Sequence, residues 1–283
     1  MDIDLVYLWV DGSDPKWIAK RNACVGAPTG GGKHCEGRYS NHDELMYSLR
    51  SAERYAPWIR KIFIVTDDQV PSWLDTSNPK IQIVDHREIL PAESLPCFNS
   101  VVIEHFLWRI PVLAEHFLYA NDDMLFNRPV QPADFFAPDG LPIVRFNRRP
   151  MRRFTLWLKA NVLGKKPSNY LLTIHNSALA VERHYGKYIG HKTHHNIDAY
   201  LKSDLESIYR EFAEELAPTL ANHVRADSDI QRQLYTYAAL MRGRAHRTFV
   251  DQHTSMRFHI DNPGHYEKYE KFHTMLLCMN DSQ

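Results

Sequence analysis

The stretch Phe117-Leu118-Tyr119-Ala120-Asn121-Asp122-Asp123-Met124 joins four largely apolar residues to an acidic pair. The apolar run predicts a short buried strand, and the pair follows its carboxyl end, where ligands bind in open α/β sheets. Two adjacent carboxylates repel each other unless a cation lies beside them, and oxygen ligands of this kind suit Mg2+ or Mn2+. An Asn-Asp-Asp turn that happens to follow a strand is the alternative interpretation, and the stretch alone leaves both open.

Further predicted strands alternate with helices in the first half of the chain. The nearly apolar run Ile3 to Val10 predicts a strand buried on both faces, and it leads into the acidic turn Asp11-Gly12-Ser13-Asp14-Pro15. Other strands are predicted at 61–68, 81–86 and 143–146, and helices at 41–56, after an Asn41 N-cap, and at 99–116, with a bend at Pro111. This alternation predicts an α/β fold with a Rossmann-like (GT-A-like), mostly parallel sheet flanked by helices.

The C-terminal half is predicted to add a helical insertion or lid. Leu171 to Asn176 predicts a strand that ends in the polar pair His175-Asn176, and apolar residues at helical spacing predict one amphipathic helix over 196–217. A second helix is predicted over 228–242 and a last strand over 275–281. We therefore predict a single domain over 1–283, with an α/β core at 1–145, a helix-rich insertion at 146–225 and a return to the core at 226–283.

A basic cluster lies where the insertion is predicted to begin. Five arginines fall within nine residues: Arg145, Arg148, Arg149, Arg152 and Arg153. Guanidinium groups bind phosphate through paired hydrogen bonds, so the cluster is a candidate phosphate site. A solvated basic face, or a groove for acidic lipid, is an equally good interpretation.

Composition argues against several classes of protein. The formal net charge is zero, which gives no general attraction to nucleic acid. The four cysteines have no zinc-site spacing and are expected to be thiols of a reducing compartment, with a Cys24–Cys35 disulfide left open. The N-terminus is acidic where a signal peptide is basic, and no apolar run reaches the roughly 18 residues of a transmembrane helix. We expect a cytoplasmic protein, with possible peripheral docking at the inner face of the cell membrane.

Four blocks of the sequence resemble the conserved regions of the Stealth family. The first is IDLVYLWVDGSDP, from Ile3 to Pro15. The second extends from Arg38 to Phe136 and includes RYSNHDELMYSLRSAERYAPWIRKIFIVTDD and FLYANDDMLFNRPVQPADFF. LLTIHNSAL with HVRADSDIQRQL resembles the third block, and LLCMND the fourth. Together the blocks cover most of the chain.

The resemblance implies a sugar-1-phosphate transferase of the kind that makes capsule polysaccharide or exopolysaccharide in bacteria. Such an enzyme transfers a hexose-1-phosphate, commonly GlcNAc-1-phosphate, from a UDP-sugar to a sugar hydroxyl of a glycan acceptor. The products would be a phosphodiester and UMP. The whole chain would then be one catalytic domain, and its 1–145 core would bind the UDP-sugar.

The resemblance also assigns roles to individual residues. Asp122 and Asp123, with Asp281, are expected to hold the divalent metal; Asp123, Asp281, His175 and Arg225 are expected to be catalytic. Donor binding is expected from Asp11, Gly12, Asn121 and Asp122 in the matching blocks. Arg148 and Arg149 lie outside those blocks and are expected, as part of the basic cluster, to bind the donor phosphates or an anionic acceptor. His175 is the candidate general base, or instead a nucleophile that forms a phosphohistidine, and the sequence does not choose between the two.

Two other classes of function remain open from the sequence. A metal-dependent glycosyltransferase would use the same strand-end carboxylates but release UDP. A non-catalytic sugar-binding module is the other alternative. The donor sugar, the acceptor, the number of metals and the oligomeric state are not predicted.

Overall fold

The computed structural model describes residues 1–26, 41–151, 153–154, 162, 164, 167–259 and 262–280. Within them, a five-stranded sheet with strand order β3-β2-β1-β4-β8 forms the centre of the fold. The strands are β1 (Ile3–Leu8), β2 (Ile62–Thr66), β3 (Ile81–Asp85), β4 (His116–Asn121), β5 (Met124–Phe126), β6 (Ile143–Pro150), β7 (His191–Thr193), β8 (Asp198–Leu201), β9 (His246–Phe249), β10 (Ser255–His259) and β11 (Leu276–Asn280).

Helices cover the sheets and connect most of the strands. They are α1 (Pro15–Val25), α2 (Glu44–Tyr55), α3 (His86–Ile89), α4 (Ser100–Glu104), α5 (Asn169–Tyr185), α6 (Lys202–Glu211), α7 (Ala213–Leu220), α8 (Gln233–Met241) and α9 (Pro263–Phe272). Short 3-10 helices occupy Ala92–Ser94, Leu107–Arg109 and Pro132–Asp134. None of the helices described is both long enough and apolar enough to cross a membrane.

The central sheet is parallel except at one edge. β1 pairs in parallel with β2 and β4, and β2 with β3, while β8 lies antiparallel to β4. The predicted α/β fold with a mostly parallel sheet is confirmed. Because β2 and β3 extend the sheet on one side of β1 and β4 on the other, the strand order reverses between β1 and β4. In sheets of this kind, ligands bind at the carboxyl edge of that position.

Two three-stranded sheets lie beside the central one. In the first, β11 pairs in parallel with β10 and antiparallel with β5. In the second, β6 pairs antiparallel with β7 and in parallel with β9. Since β5 begins three residues after β4 ends, the first small sheet carries the C-terminal strand directly to the acidic pair.

Alternation along the central strands divides the hydrophobic core between two faces. On β4, Phe117 and Tyr119 belong to one core, and Leu118 and Ala120 to the other. All four side chains are fully buried. A strand buried on both faces reads as a continuous apolar run, which is why this stretch was recognisable in the sequence.

Asp4 is the charged exception inside β1. Its carboxylate is fully buried and accepts hydrogen bonds from Arg60 Nε at 2.9 Å and Nη2 at 2.6 Å. It also accepts from the backbone N–H groups of Lys61 at 3.1 Å and Ala114 at 2.7 Å. These contacts connect the start of β1 to the segments that lead into β2 and β4.

The predicted strand at 171–176 is wrong, because His175 lies inside α5. Ser168 caps this helix by accepting a hydrogen bond from the Leu171 N–H, and Gly186 ends it with a positive φ of 70°. The apolar run in 171–174 is short, and its length does not distinguish a strand from one turn of a buried helix. The helix continues through Ala178 and Val181, which share a face with Ile174.

Two predicted helices are also divided in the structure. The helix expected over 196–217 is β8, followed by α6 and most of α7, because Asp198–Leu201 pairs with β4. The helix expected over 99–116 is α4 and a separate 3-10 turn, although Asn99 does cap it by accepting from the Val101 N–H. β8 therefore places part of the predicted 146–225 insertion in the central sheet.

The two remaining predicted helices and the last predicted strand are present, with different bounds or caps. The helix after Asn41 is confirmed as α2, but its N-cap residue is Asp43, which makes no side-chain capping bond. The predicted helix over 228–242 is confirmed as the shorter α8, and the last predicted strand as β11. The predicted Cys24–Cys35 alternative stays open because Cys35 lies outside the described residues.

We expect Asp4→Ala to lower the free energy of unfolding by about 3 kcal/mol, because it removes a buried partner of Arg60 and leaves two backbone N–H groups unsatisfied. Chemical denaturation of the purified protein measures this. Asp2→Ala, at an exposed carboxylate two residues away, is the matched control and should stay within about 0.5 kcal/mol of wild type. Equal effects of the two substitutions would contradict the role given to Asp4.

Candidate active site

The loop after β1 forms one side of the carboxyl edge. Gln69, after β2, binds this loop: its Oε1 accepts from the Asp11 N–H at 3.0 Å, and its Nε2 donates to the Asp11 carbonyl at 2.9 Å and Asp14 Oδ2 at 3.0 Å. Asp11 Oδ1 accepts from the backbone and hydroxyl of Ser13, and Gly12 is partly exposed in the same turn. The predicted donor-binding residues Asp11 and Gly12 therefore lie at the expected edge, with the Asp11 side chain shaping the turn.

A cleft of about 300 Å³ opens beside this loop. Its lining combines indole rings, carboxylates and lysines: Trp9, Asp11, Asp14, Lys16, Trp17, Lys20, Asp67, Asp68, Gln69 and Val70. Lys20 Nζ lies 2.9 Å from Asp67 Oδ1, which neutralises part of the acidic wall. Because Trp9 and Trp17 are themselves buried, the cleft presents mainly carboxylate, amide and ammonium groups, with the edges of the two indoles at its base.

The acidic pair follows β4 directly. Asp122 and Asp123 are both partly buried, and the Asp123 N–H donates to Asp122 Oδ1 at 3.1 Å. Burial, followed by the negative charges of Asp123 and Glu44, raises the pKa of Asp122 to about 8. A positively charged ligand beside the pair would favour the ionised form of Asp122.

Asp123 contacts two residues that sequence analysis did not select. A carboxylate oxygen of Asp123, a ring nitrogen of His195 and the sulfur of Cys278 all lie within 4.8 Å of one another. The Cys278 thiol donates to Asp123 Oδ2 at 3.3 Å. Burial and the Asp123 carboxylate raise the pKa of Cys278 well above its usual value. Burial, together with the charges of Arg232 and Arg257, lowers the pKa of His195 to about 3.

These two residues were missed because their signal is not local. Cys278 is 155 residues from Asp123 in the chain, and His195 belongs to the connection between β7 and β8. Spacing rules for metal sites depend on ligands close together in sequence. Only the pairing of β11 with β5 brings Cys278 to the acidic pair.

Asn121 connects the acidic pair to a buried polar cluster. The Tyr119 hydroxyl lies 2.8 Å from Asn121 Oδ1 and donates to Glu104 Oε1 at 2.9 Å. Asn121, predicted to bind the donor, is therefore oriented by Tyr119. Burial raises the pKa of Glu104, while the nearby charge of Arg232 acts in the opposite direction.

Arg232 is at the centre of that cluster and was not identified from the sequence. The residue is only 6% exposed, and its guanidinium carbon lies 4.7 Å from the centre of the Tyr119 ring. Nη1 donates to Asp198 Oδ2 and to the Tyr200 hydroxyl, and Nε is 3.6 Å from Glu104 Oε2. A single arginine before an apolar helix gives no sequence signal that it is buried.

Arg225 lies near the same cluster but on the surface. Its Nη2 donates to Ser100 Oγ at 2.5 Å, at the start of α4, and its charge acts to lower the pKa of Glu104. The exposed position leaves the guanidinium accessible to an anionic ligand. Arg225 therefore acts on Glu104 through its charge, and Glu104 is hydrogen-bonded to the Tyr119 hydroxyl that also contacts Asn121.

His175 has a different environment from the acidic pair. Its Nδ1 is 2.9 Å from the Tyr188 hydroxyl, and the ring is half-buried on α5. Burial, and next the charge of Arg153, lowers the pKa of His175. Arg153 in turn pairs with Glu182 at 2.9 Å and lies over the Tyr188 ring. Within the described residues, no contact joins His175 to Asp122 or Asp123.

The remaining predicted site residues do not form one group. Arg148 and Arg149 are exposed near the end of β6, whereas Arg145 is buried against the Phe135 ring and the Asp134 carbonyl. The four described arginines of the cluster are thus divided among separate environments, and Arg152 lies outside the described residues. Asp281, predicted as a metal ligand and catalytic residue, lies outside the described residues.

Two family models and several bacterial phosphotransferases match this chain. The models for Stealth protein CR1, conserved region 1, and Stealth protein CR2, conserved region 2, match residues 1–27 and 38–144. The exopolysaccharide phosphotransferase CpsY of Mycobacterium tuberculosis is 40% identical over 93% of this chain and 48% of its own length. A capsular polysaccharide phosphotransferase of Haemophilus influenzae is 34% identical over 86% of this chain and 66% of its own length.

The curated relatives are longer than this chain, and the solved structure is only distantly similar to it. The chain spans about half the length of the exopolysaccharide phosphotransferases it matches, 48% for the mycobacterial protein and 41% for one of Streptomyces coelicolor. Among solved structures, the galactosyltransferase LgtC with donor and acceptor sugar analogs covers 99% of this chain and 87% of its own, at 10% identity and a TM-score of 0.45. A likeness of this size carries no information about the reaction.

The position of Arg153 predicts how His175 titrates. Because the Arg153 charge disfavours protonation of the imidazole, Arg153→Gln should raise the pKa of His175, and the unpaired Glu182 would act in the same direction. An NMR titration, with the His175 signal assigned by its loss in His175→Gln, measures this. Arg149→Gln, at an exposed arginine on β6, is the control and should leave the titration unchanged. An unchanged or lowered pKa of His175 in Arg153→Gln would contradict the effect assigned to the Arg153 charge.

Proposed function

Because the chain belongs to the Stealth protein family, we propose that it transfers a hexose-1-phosphate from a UDP-sugar to a hydroxyl of a sugar acceptor. GlcNAc-1-phosphate is the first candidate for the transferred group. The reaction forms a phosphodiester and releases UMP. Its support is the match to two conserved regions of the family and to phosphotransferases from several bacteria.

The single observation that supports the proposal most directly is the position of Asp122 and Asp123. They follow β4 at the carboxyl edge where the strand order reverses, next to the loop that carries Asp11 and Gly12. A nucleotide-sugar is the kind of ligand that binds at this position in an open α/β sheet. The proposal assigns the uridine to the cleft beside Trp9 and the phosphates to the edge near Asn121.

The donor atoms of the acidic pair fit a hard divalent cation. Asp122 and Asp123 each offer carboxylate oxygens and are partly exposed, as a site shared with phosphate oxygens requires. In the proposal these two residues hold Mg2+ or Mn2+, with Asp281 as a further ligand. The ion, when bound, would neutralise charge on the phosphate oxygens of the donor.

Cationic side chains of the protein would bind the same phosphates. Arg225 is exposed and contacts Ser100 at the start of α4. As a cation beside the phosphates, it would stabilise the extra negative charge as the bond to the leaving UMP breaks. Arg148 and Arg149 are exposed and are assigned to the donor or to an anionic acceptor.

His175 would accept the proton of the attacking hydroxyl. The acceptor oxygen forms a bond to the β-phosphorus, the bond from that phosphorus to the bridging oxygen breaks, and UMP leaves with the electron pair. A lowered pKa keeps the imidazole neutral and able to accept a proton at neutral pH. Asn176, the next residue, donates to the carbonyls of Asp227 at 2.9 Å and Asp229 at 3.0 Å, which connects His175 to the segment of Arg225.

The role of His175, the acceptor and the cellular location are further features of the proposed reaction. His175 could instead attack phosphorus, and a phosphohistidine trapped on the protein would select that route. The acceptor is proposed to be a glycan, in keeping with the names of the relatives. A cytoplasmic location with peripheral docking at the membrane remains a prediction.

The first test is to identify the nucleotide released from UDP-GlcNAc with Mg2+ and a glycan acceptor. We expect UMP, because the β-phosphorus is attacked and the sugar C1–O bond stays intact. Chromatographic separation of UMP from UDP reads the result. Release of UDP would make the protein a glycosyltransferase, and sugar binding without either product under any donor would favour a binding module.

Asp123→Asn should reduce the rate of transfer by at least about 100-fold, because electrostatic stabilisation of phosphoryl transfer is worth several kcal/mol. The initial rate of UMP release measures this. Asp75→Asn, at an exposed carboxylate in the loop before β3, is the control and should retain wild-type activity. If Asp123→Asn kept more than about a tenth of the activity, the acidic pair would not hold the catalytic metal.

A further inference from the structure

The cluster of Asp123, His195 and Cys278 combines three different ligand types in one place. Their oxygen, nitrogen and sulfur atoms all lie within 4.8 Å of one another. Ligand atoms around a tetrahedral zinc ion are roughly 3 to 4 Å apart, since each bond is about 2.0 to 2.3 Å long. The three side chains therefore need to move by only about an ångström to share one ion.

The backbone around the cluster is well ordered by hydrogen bonds. The Met279 N–H donates to the Asp123 carbonyl at 2.8 Å, which fixes Cys278 and Asp123 on adjacent segments. On the other side, His194 contacts Asp198 at 3.0 Å and the Ser255 hydroxyl at 3.2 Å. The three ligand positions are thus held by contacts that do not involve the ligand atoms.

His195 also has an outer contact of the kind found at metal sites. Its Nδ1 is 3.3 Å from the Tyr170 hydroxyl, and the two rings meet edge to face. Contacts at one imidazole nitrogen orient the ring and select which nitrogen binds a metal. This geometry favours a fixed orientation of His195 toward the cluster.

The donor set discriminates between metals. Mg2+ binds oxygen ligands, whereas a thiolate and an imidazole favour zinc and similar transition metals. Three protein ligands also leave a fourth position for water or substrate. Two arginines act on the cluster: the charge of Arg257, opposite Cys278 in the β10–β11 pair, acts to lower the pKa values of Cys278 and His195, and that of Arg232 acts on His195. The charge of Arg232 is offset in part, because it is paired with Asp198 and lies near Glu104.

We propose that Asp123, His195 and Cys278 form a binding site for Zn2+. This site uses oxygen, nitrogen and sulfur ligands, whereas the proposed Mg2+ site of the acidic pair uses oxygen alone; Asp123 belongs to both. Binding converts the Cys278 thiol to a thiolate, and its proton is released to the buffer. The site needs no donor nucleotide, so it can be tested on the protein alone.

Cobalt is the probe, because Co2+ replaces Zn2+ and reports its ligands by absorption. The metal-free protein titrated with Co2+ should show the visible bands of a four- or five-coordinate ion and a thiolate-to-cobalt charge-transfer band in the near ultraviolet. Added Zn2+ should displace the cobalt and abolish both. In Cys278→Ser the charge-transfer band should be absent, and the affinity for Zn2+ should fall by at least about 100-fold.

Two further variants keep the test decisive. Cys24→Ser, at a partly buried cysteine on α1, is the control and should retain the charge-transfer band. His195→Gln should weaken Zn2+ binding with thermal stability close to wild type, which separates ligand loss from unfolding. A folded wild-type protein that shows no thiolate band, or a band that persists in Cys278→Ser, would overturn the proposal.

One consequence rests on the proposed function. If Asp123 also serves the Mg2+ site, Zn2+ should inhibit Mg2+-supported release of UMP, and Cys278→Ser should require more Zn2+ for the same inhibition. Absence of any transfer would leave the cobalt result intact, so failure of the proposed activity and failure of the zinc site remain distinguishable. Full transfer with the zinc site saturated would show that the two sites do not share Asp123.

Discussion

The buried guanidinium of Arg232 constrains the arrangement of the whole molecule. A charge removed from water costs several kcal/mol unless its partners surround it, and here the partners come from distant parts of the chain. Asp198 belongs to β8, Glu104 to α4 and Tyr119 to β4. These contacts join the second half of the chain to the central sheet. The same contacts orient Tyr119 and, through it, Asn121 beside the acidic pair.

The carboxyl edge combines groups from both ends of the chain. β1 and β4 place Asp11 and Asp122 at the position where the strand order reverses, and β11 brings Cys278 to Asp123. This is why a local motif in the sequence identifies only part of the site. The acidic pair is visible as a strand followed by two carboxylates, whereas its nitrogen and sulfur neighbours depend on sheet pairing.

The error at His175 illustrates a general limit of local patterns. The run from Leu171 to Asn176 has the length and composition of a strand, yet it forms the first turns of α5. The helix is held by the segment just before α8, since Gln231 donates from its backbone N–H to Ser177 Oγ and from Nε2 to Thr173 Oγ1. The helix changes the environment of His175: its ring contacts Tyr188 and is influenced by the charge of Arg153, and among the described residues it has no contact with the acidic pair after β4.

The sequence alone determined the α/β class, the strands of the parallel sheet and the acidic pair at the end of β4, because continuous apolar runs and strand-end carboxylates are local features. Resemblance of its blocks also determined the family. Tertiary structure decided what no spacing encodes: that Arg232 is buried, that Asp198–Leu201 is a strand, and that His195 and Cys278 adjoin Asp123. These facts depend on contacts between segments far apart in the chain, and such contacts exist only once the sheets have paired.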